Sequence, residues 1–150
     1  MKQIKIKMEN QEIVLQTEKE IEIRFSEVDS MNIVWHGSYA LYLEDAREAF
    51  GRKYNLEYLY MFGKGFYAPL VEMKLNYKRP LKYKDKAKIQ ITYRNTEAAK
   101  IIFDYKILDL ETEEVLATAH TIQVFLDKDY NLVWSIPDFF LEWKKMNNLI

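Results

Sequence analysis

Apolar and polar residues alternate over much of the chain. In the segment 20–25, Ile21, Ile23 and Phe25 are separated by charged residues, and a period of two is typical of a strand with one buried face. The same alternation predicts four later strands, at 67–77, 87–94, 99–109 and 114–127.

Between residues 38 and 54 the apolar period lengthens to that of a helix. Apolar residues recur there three and four positions apart, at Tyr39, Tyr42, Leu43, Ala46, Ala49 and Phe50. The pattern predicts one long amphipathic helix, followed by a shorter helix over 56–62. A terminal helix is predicted over 137–147, beginning at Pro137.

The order of these elements is a strand, a long helix and four more strands. A single helix with an apolar stripe buries it best against a curved antiparallel sheet, so the predicted class is α+β with five strands. Four glycines and three prolines leave little material for a linker, which predicts a single domain over residues 1–150. Residues 1–16 are predicted to add an N-terminal strand or hairpin.

Composition argues against several functional classes. The net charge of −1 provides no basic field for nucleic acid. The absence of cysteine excludes disulfides, thiolate metal sites and a cysteine nucleophile, and two histidines are too few for a typical zinc site. The N-terminus is charged and no segment has membrane-spanning length, so the protein is predicted to be soluble and cytoplasmic.

Asp29 and His36 stand between the first predicted strand and the long helix. Aspartate is common in turns and helix caps, so a structural role is one interpretation of Asp29. The alternative is a functional carboxylate, because a helix N-terminus favours the ionised form. His36 is open to the same two interpretations. Gly37 lacks a Cβ and so would let a ligand approach the free N–H groups of the helix start.

The segment "EVDSMNIVWHGSYALYLEDAREAF" resembles the signature of hotdog-fold acyl-CoA thioesterases of the 4-hydroxybenzoyl-CoA thioesterase-like group. The resemblance implies a hotdog fold in which the long helix is wrapped by the sheet. It also implies that Asp29 is the catalytic carboxylate and that His36 is the second catalytic residue. The oxyanion site would be formed by backbone N–H groups at the helix start, those of Gly37, Ser38 and Tyr39.

Two residues depart from the pattern of this family. Phe25 stands where some relatives have a tyrosine, so any role of that hydroxyl is absent. Asn32 occupies a position where glycine is usual, and asparagine tolerates the left-handed backbone that such a turn requires.

Six cations and one acid fall within residues 78–88. Lysines of this kind protect sheet edges and solvate strands, which is one interpretation. The resemblance implies another, in which Lys78, Arg79 and Lys82 bind the phosphates of coenzyme A. Arg79 is the strongest candidate, because a guanidinium binds phosphate with two hydrogen bonds.

Three other ionisable residues are given simpler interpretations. His120 shares its face with apolar residues and is predicted to be structural. Glu44 and Arg47 are three residues apart on the long helix and are expected to pair, although Glu44 could instead reach the site.

The predicted function is hydrolysis of an acyl-CoA thioester to free acid and coenzyme A, without a metal or other cofactor. Asp29 would either activate water or attack the carbonyl directly. The alternatives are an acyl-carrier-protein thioesterase of the same fold and a non-catalytic acyl-CoA-binding protein; a dehydratase fits the Asp-then-His order less well. The abundant aromatic residues and methionines suit either a fatty-acyl tunnel or an aryl pocket. An exposed sheet edge and apolar strand residues that one helix cannot cover predict a homodimer or a dimer of dimers. The resemblance implies that the sites lie at the subunit interface.

Overall fold

The computed structural model describes residues 13–150. The elements in chain order are β1 (Gln16–Ile21), α1 (Tyr39–Tyr54), α2 (Tyr58–Gly63), β2 (Leu70–Tyr77), β3 (Ala87–Arg94), β4 (Lys100–Asp109), β5 (Val115–Val124) and α3 (Asp138–Met146). Most of the strand or hairpin predicted over 1–16 lies outside the described residues. None of the helices within residues 13–150 is long and apolar enough to cross a membrane.

The five strands form one antiparallel sheet in the order β1-β3-β4-β5-β2. The curved five-stranded sheet with its long helix confirms the predicted fold class. Within the described part of the chain, β1 and β2 are the edge strands, since β1 pairs only with β3 and β2 only with β5.

The first strand lies earlier than the alternation predicted. It spans Gln16–Ile21, whereas the prediction was 20–25, and Phe25 opens a short 3-10 turn instead. The reason is the length of its partner: Ile21 pairs with Ala87, the first residue of β3, so the ladder has no further residue to pair with. Ile23 is nevertheless buried in the core. Its burial explains why the alternation of apolar and polar residues continues beyond the end of β1.

The core lies between α1 and the inner face of the sheet, with α1 packed mainly on β1 and β3. Alternate residues of the central strands point into it, as the period of two requires. Phe50 of α1 is fully buried, and its ring lies 4.8 Å from that of Phe103 on β4. The indole N–H of Trp143 donates to the Tyr54 carbonyl (2.7 Å), which fastens α3 to the end of α1.

Candidate active site

The segment that joins β1 to α1 doubles back on itself and places Asp29 at its turn. The Asp29 N–H donates to the Ile33 carbonyl (2.8 Å), and Val28 forms an antiparallel bridge with Val34. Asn32 has φ 62°, the left-handed geometry that the sequence predicted it would tolerate. The turn brings two arms together, one leading to Asp29 and the other leading to His36 and α1.

The Asp29 carboxylate is half-buried and uses one of its oxygens within the turn. Oδ1 accepts the N–H of Met31 at 2.8 Å and that of Ile33 at 3.4 Å. Oδ2 accepts no hydrogen bond from any residue that the structure describes. Asp29 is therefore a turn aspartate, as the simpler interpretation held, and it keeps one carboxylate oxygen free.

An almost identical turn stands elsewhere in the chain, at Asp127. Its Oδ1 accepts the N–H groups of Asp129 (2.9 Å) and Asn131 (3.0 Å). Its own N–H donates to the Asn131 carbonyl (2.9 Å), and Tyr130 takes the left-handed position with φ 64°. What distinguishes Asp29 is its place in the segment that leads into a long helix, since the turn itself recurs.

Glu27 connects the two arms of the segment. Its side chain is 9% exposed, and Oε1 accepts the Tyr42 hydroxyl (3.2 Å) and the Arg24 N–H (2.7 Å). Its carbonyl accepts the Trp35 N–H at 2.8 Å. Burial, and then the charge of Glu27, raise the pKa of the Tyr42 hydroxyl above its ordinary value. Glu27 thus fixes the arm that carries Asp29 against α1.

His36 is exposed at the entrance of α1. Its ring lies 5.0 Å from that of Trp35, and its carbonyl accepts the hydroxyl of Tyr77 (3.4 Å), the last residue of β2. Within residues 13–150, no hydrogen bond or ion pair joins His36 to Asp29. The structure brings the two residues to the same segment without connecting their side chains.

The backbone donors at the helix start are only partly free. The Ser38 N–H donates to the Trp35 carbonyl (2.9 Å), and the Tyr39 N–H donates to the His36 carbonyl. The 3-10 turn before α1 therefore uses the Ser38 and Tyr39 N–H groups, two of the three predicted to form the oxyanion site, and that role stays a prediction. Gly37 is the remaining donor. A Cβ on Gly37 would lie 2.1 Å from the Trp35 ring, so the indole fills the space that a side chain at this position would need.

The predicted phosphate-binding residues lie in different surroundings. Lys82 forms an antiparallel bridge with Ile33, which places it directly beside the Asp29 turn. Lys78 and Arg79 follow the end of β2, and both of their N–H groups donate to the Leu116 carbonyl (2.9 Å). The Arg79 guanidinium pairs with Glu114 (2.9 Å), with both side chains exposed. A ligand phosphate would have to compete with that carboxylate for Arg79.

A cleft of about 650 Å³ opens beside α1, at the start of β2. Apolar side chains line much of it: Phe50, Leu56, Met61, Ala68, Ile101 and Phe103. Arg47 also lines the cleft, and it pairs with Glu44 as predicted. Its guanidinium further donates to the hydroxyl of Tyr105 (3.3 Å).

His120 lies on the outer face of the sheet. Its Nδ1 is 2.6 Å from Asp104 Oδ1, and Arg94 contacts the same carboxylate. Burial alone would raise the pKa of Asp104, but the hydrogen bonds from His120 and Arg94 bring it below its usual value.

Sequence reasoning missed Glu27, Tyr77 and the cleft. Glu27 lies in a polar stretch, where an acid is normally expected to be exposed. Tyr77 reaches His36 from 41 residues away, and no local pattern carries that contact. The cleft is lined by residues from five separate stretches of the chain, so only the three-dimensional fold reveals it.

The antiparallel sheet with its long helix defines a hotdog fold of the kind found in thioesterases. The profile of the Thioesterase-like superfamily matches residues 23–144, and the chain belongs to this superfamily.

Individual relatives agree with this assignment. The chain is 30% identical over 113 residues to "Putative acyl-CoA thioesterase YneP" of Bacillus subtilis, covering 75% of this chain and 81% of that protein. It is 28% identical to the acyl-acyl carrier protein thioesterase ATL3 of Arabidopsis thaliana, covering 77% of this chain and 61% of that protein, which is less than two thirds of its length. A solved structure of DHNA-CoA thioesterase from Staphylococcus aureus superimposes with a TM-score of 0.77 at 26% identity, covering 89% of this chain and 92% of that one.

Proposed function

We propose that this protein hydrolyses acyl-CoA thioesters to a free acid and coenzyme A. The observation that carries the proposal is the Asp29 carboxylate, in the segment that leads into α1: Oδ1 accepts two N–H groups of its turn, and Oδ2 accepts no hydrogen bond from the described residues. A carboxylate held by one oxygen and available at the other is what either hydrolytic route requires. Membership of the thioesterase-like superfamily supports the reaction class.

In the proposed reaction, Oδ2 of Asp29 acts on the thioester carbonyl or on a water molecule. Direct attack forms an anhydride that water then opens, whereas general-base action transfers a water proton to the carboxylate as the oxygen adds to the carbonyl carbon. In both routes the C–S bond breaks and coenzyme A leaves as a thiolate that takes up a proton. The Gly37 N–H is the candidate donor to the developing oxyanion, and His36 positions the thioester or the departing thiolate.

The coenzyme A moiety is proposed to lie along the basic segment after β2. Lys82 is the best-placed of the three candidate residues, because its bridge to Ile33 puts it next to the reaction site. Lys78 and Arg79 extend the positive charge away from that site, toward the more distant phosphates.

We also propose that the working unit is a homodimer formed through β2. One face of this edge strand carries exposed apolar side chains, Val71 (60%) and Met73 (46%) among them. The other edge strand, β1, exposes Glu18, Lys19 and Glu20, and charges of this kind oppose edge-to-edge pairing. Pairing two copies of β2 would satisfy the free edge and cover the apolar side chains.

Such pairing would join the reaction site of one copy to the cleft of the other. Tyr77 at the end of β2 contacts His36, while Leu70 at its start lines the cleft. These ends lie about 23 Å apart within one copy, at the rise of an extended strand. An antiparallel pair of β2 strands would bring Tyr77 of one copy near Leu70 of the other. We propose that the acyl group occupies this neighbouring cleft.

A hydrolysis screen tests the proposal and distinguishes coenzyme A from acyl carrier protein as the carrier of the acyl group. The same acyl groups are presented on coenzyme A and on acyl carrier protein, and thiol release is followed. We expect higher kcat/KM on coenzyme A, and the opposite order would favour the acyl-carrier-protein alternative that the Arabidopsis relative suggests. Binding of acyl-CoA without thiol release would contradict catalysis and favour a non-catalytic binding protein. Tetramer formation and cytoplasmic location remain predictions of the sequence.

A further inference from the structure

Arg47 lies in the wall of the cleft, which has apolar side chains from the strands and charged side chains from α1, among them Glu44, Glu48 and Arg52. Its side chain is 12% exposed, whereas the other arginine of α1, Arg52, is 68% exposed. Arginine at a helix surface usually extends into water, and burying it is costly unless its N–H groups find acceptors. The position of Arg47 therefore calls for an account of those N–H groups.

Two acceptors hold the guanidinium, one on each terminal nitrogen. One terminal nitrogen donates to the Tyr105 hydroxyl, and the other pairs with Glu44. The Tyr105 hydroxyl is itself 2.6 Å from the Thr121 hydroxyl, and both of these residues are buried. A guanidinium has five N–H groups, so the two contacts leave further donors available in the cleft.

The place of Arg47 in the cleft follows from the strand order. Leu70 on β2 pairs with Gln123 on β5, which in turn pairs with Ile101 on β4. The residues that line the cleft therefore extend from the edge strand β2 across β5 to β4. Tyr105, which holds Arg47, also lies on β4, two strand spacings or ~10 Å from that edge. A group entering at the edge from a second copy would meet Arg47 at its inner end.

We propose that Arg47 is a specificity-determining residue that selects acyl groups with an oxygen acceptor, such as a hydroxyl, at their far end. This inference rests on the proposed function and names the substrate class of that site. An acyl group ending in a methyl would bury the spare N–H groups of Arg47 without a partner, and sites built to donate a hydrogen bond discriminate against ligands that lack the acceptor.

The test compares straight-chain acyl-CoA thioesters of increasing length with their ω-hydroxy counterparts. In the wild-type protein, kcat/KM is expected to be higher for the ω-hydroxy compound at the length that fills the cleft. Arg47→Met should lower this preference by ~10–100-fold, the usual effect of losing a hydrogen bond to a charged group. Because the preference is a ratio measured within one variant, a reduced folded fraction does not alter it.

Two more variants keep the test decisive. Arg94→Met is the control, since the Arg94 side chain is exposed on β3, pairs with Asp104 and does not line the cleft; the preference should stay at the wild-type value. Tyr105→Phe is nearly isosteric and removes the hydroxyl that holds Arg47, so it should weaken the preference even if Arg47→Met fails to fold.

The outcomes separate this inference from the function beneath it. Hydrolysis by the wild type with the same preference in Arg47→Met or Tyr105→Phe as in wild type would overturn the role of Arg47 and leave the thioesterase proposal standing. Absence of hydrolysis with every thioester would overturn the proposed function, and the role of Arg47 with it.

Discussion

Two buried tyrosines show how the same side chain stabilises or weakens the fold according to its partner. The Tyr42 hydroxyl donates to Glu27, whereas the Tyr93 hydroxyl is buried and makes no hydrogen bond to any residue in the described part of the chain. An unpaired buried hydroxyl costs ~1–3 kcal/mol, and a satisfied one contributes about 1 kcal/mol. The two residues therefore predict opposite effects for the same substitution.

Tyr93→Phe is expected to raise the free energy of unfolding by about 1 kcal/mol, and Tyr42→Phe to lower it by a similar amount. Urea unfolding near neutral pH measures both changes. A loss of stability in Tyr93→Phe would contradict the orphaned hydroxyl, and no change in Tyr42→Phe would contradict the Glu27 contact.

The same tyrosines make stability depend on alkaline pH. Burial raises the pKa of Tyr93, and burial followed by the Glu27 charge raises that of Tyr42. An unfolded tyrosine loses its proton near pH ~10 while the buried one keeps it, so the unfolded state binds fewer protons above that pH. Stability is complete below this range and falls as the pH rises through it. The fall should be smaller in Tyr93→Phe than in wild type.

At the level of elements, local periodicity predicted correctly those helix and strand bounds that depend on one segment of the chain alone. The long helix ends at Tyr54 as predicted, and β3 spans the predicted residues. β1 was placed too late because its end is set by the start of β3, a partner distant in sequence. The Asp29 turn could be predicted from its residues. The hydrogen bond between Glu27 and Tyr42 and that between Tyr77 and His36 could not, because only the tertiary fold brings these residues together.

The predicted homodimer depends on pairing through the edge strand β2. Met73→Lys should prevent the pairing of two β2 strands, because it places a charge on the apolar face of an edge. Sedimentation is expected to give twice the chain mass of 18.1 kDa for wild type and the single-chain mass for this variant. Its kcat/KM should fall as well, since each site would lose the neighbouring cleft.

Met146→Lys is the matched control for that prediction. Met146 is also exposed, at the end of α3, and receives the same change of side chain outside β2. It should sediment as the wild type does. A wild-type protein that is fully active as a single chain would contradict both the dimer and the shared site.

At the scale of the whole molecule, the fold places the proposed catalytic carboxylate in the segment that leads into α1, and the cleft at the start of the edge strand β2. In the proposed account, pairing of two copies would complete the site, and the basic segment after β2 would bind the phosphates of coenzyme A. Their combination is what the proposed hydrolysis requires, and Asp29 is the group on which it depends.

The most direct measurement is therefore the hydrolysis rate of Asp29→Asn beside that of Asp127→Asn. Both substitutions keep an Oδ1 acceptor in the same kind of turn, so both should leave the free energy of unfolding nearly unchanged. Asp29→Asn is expected to lower kcat on a good acyl-CoA substrate by ~10²–10⁴-fold or more, while Asp127→Asn keeps the wild-type rate. Equal rates in the two variants would show that Asp29 is only a turn aspartate and would contradict the proposed catalytic role.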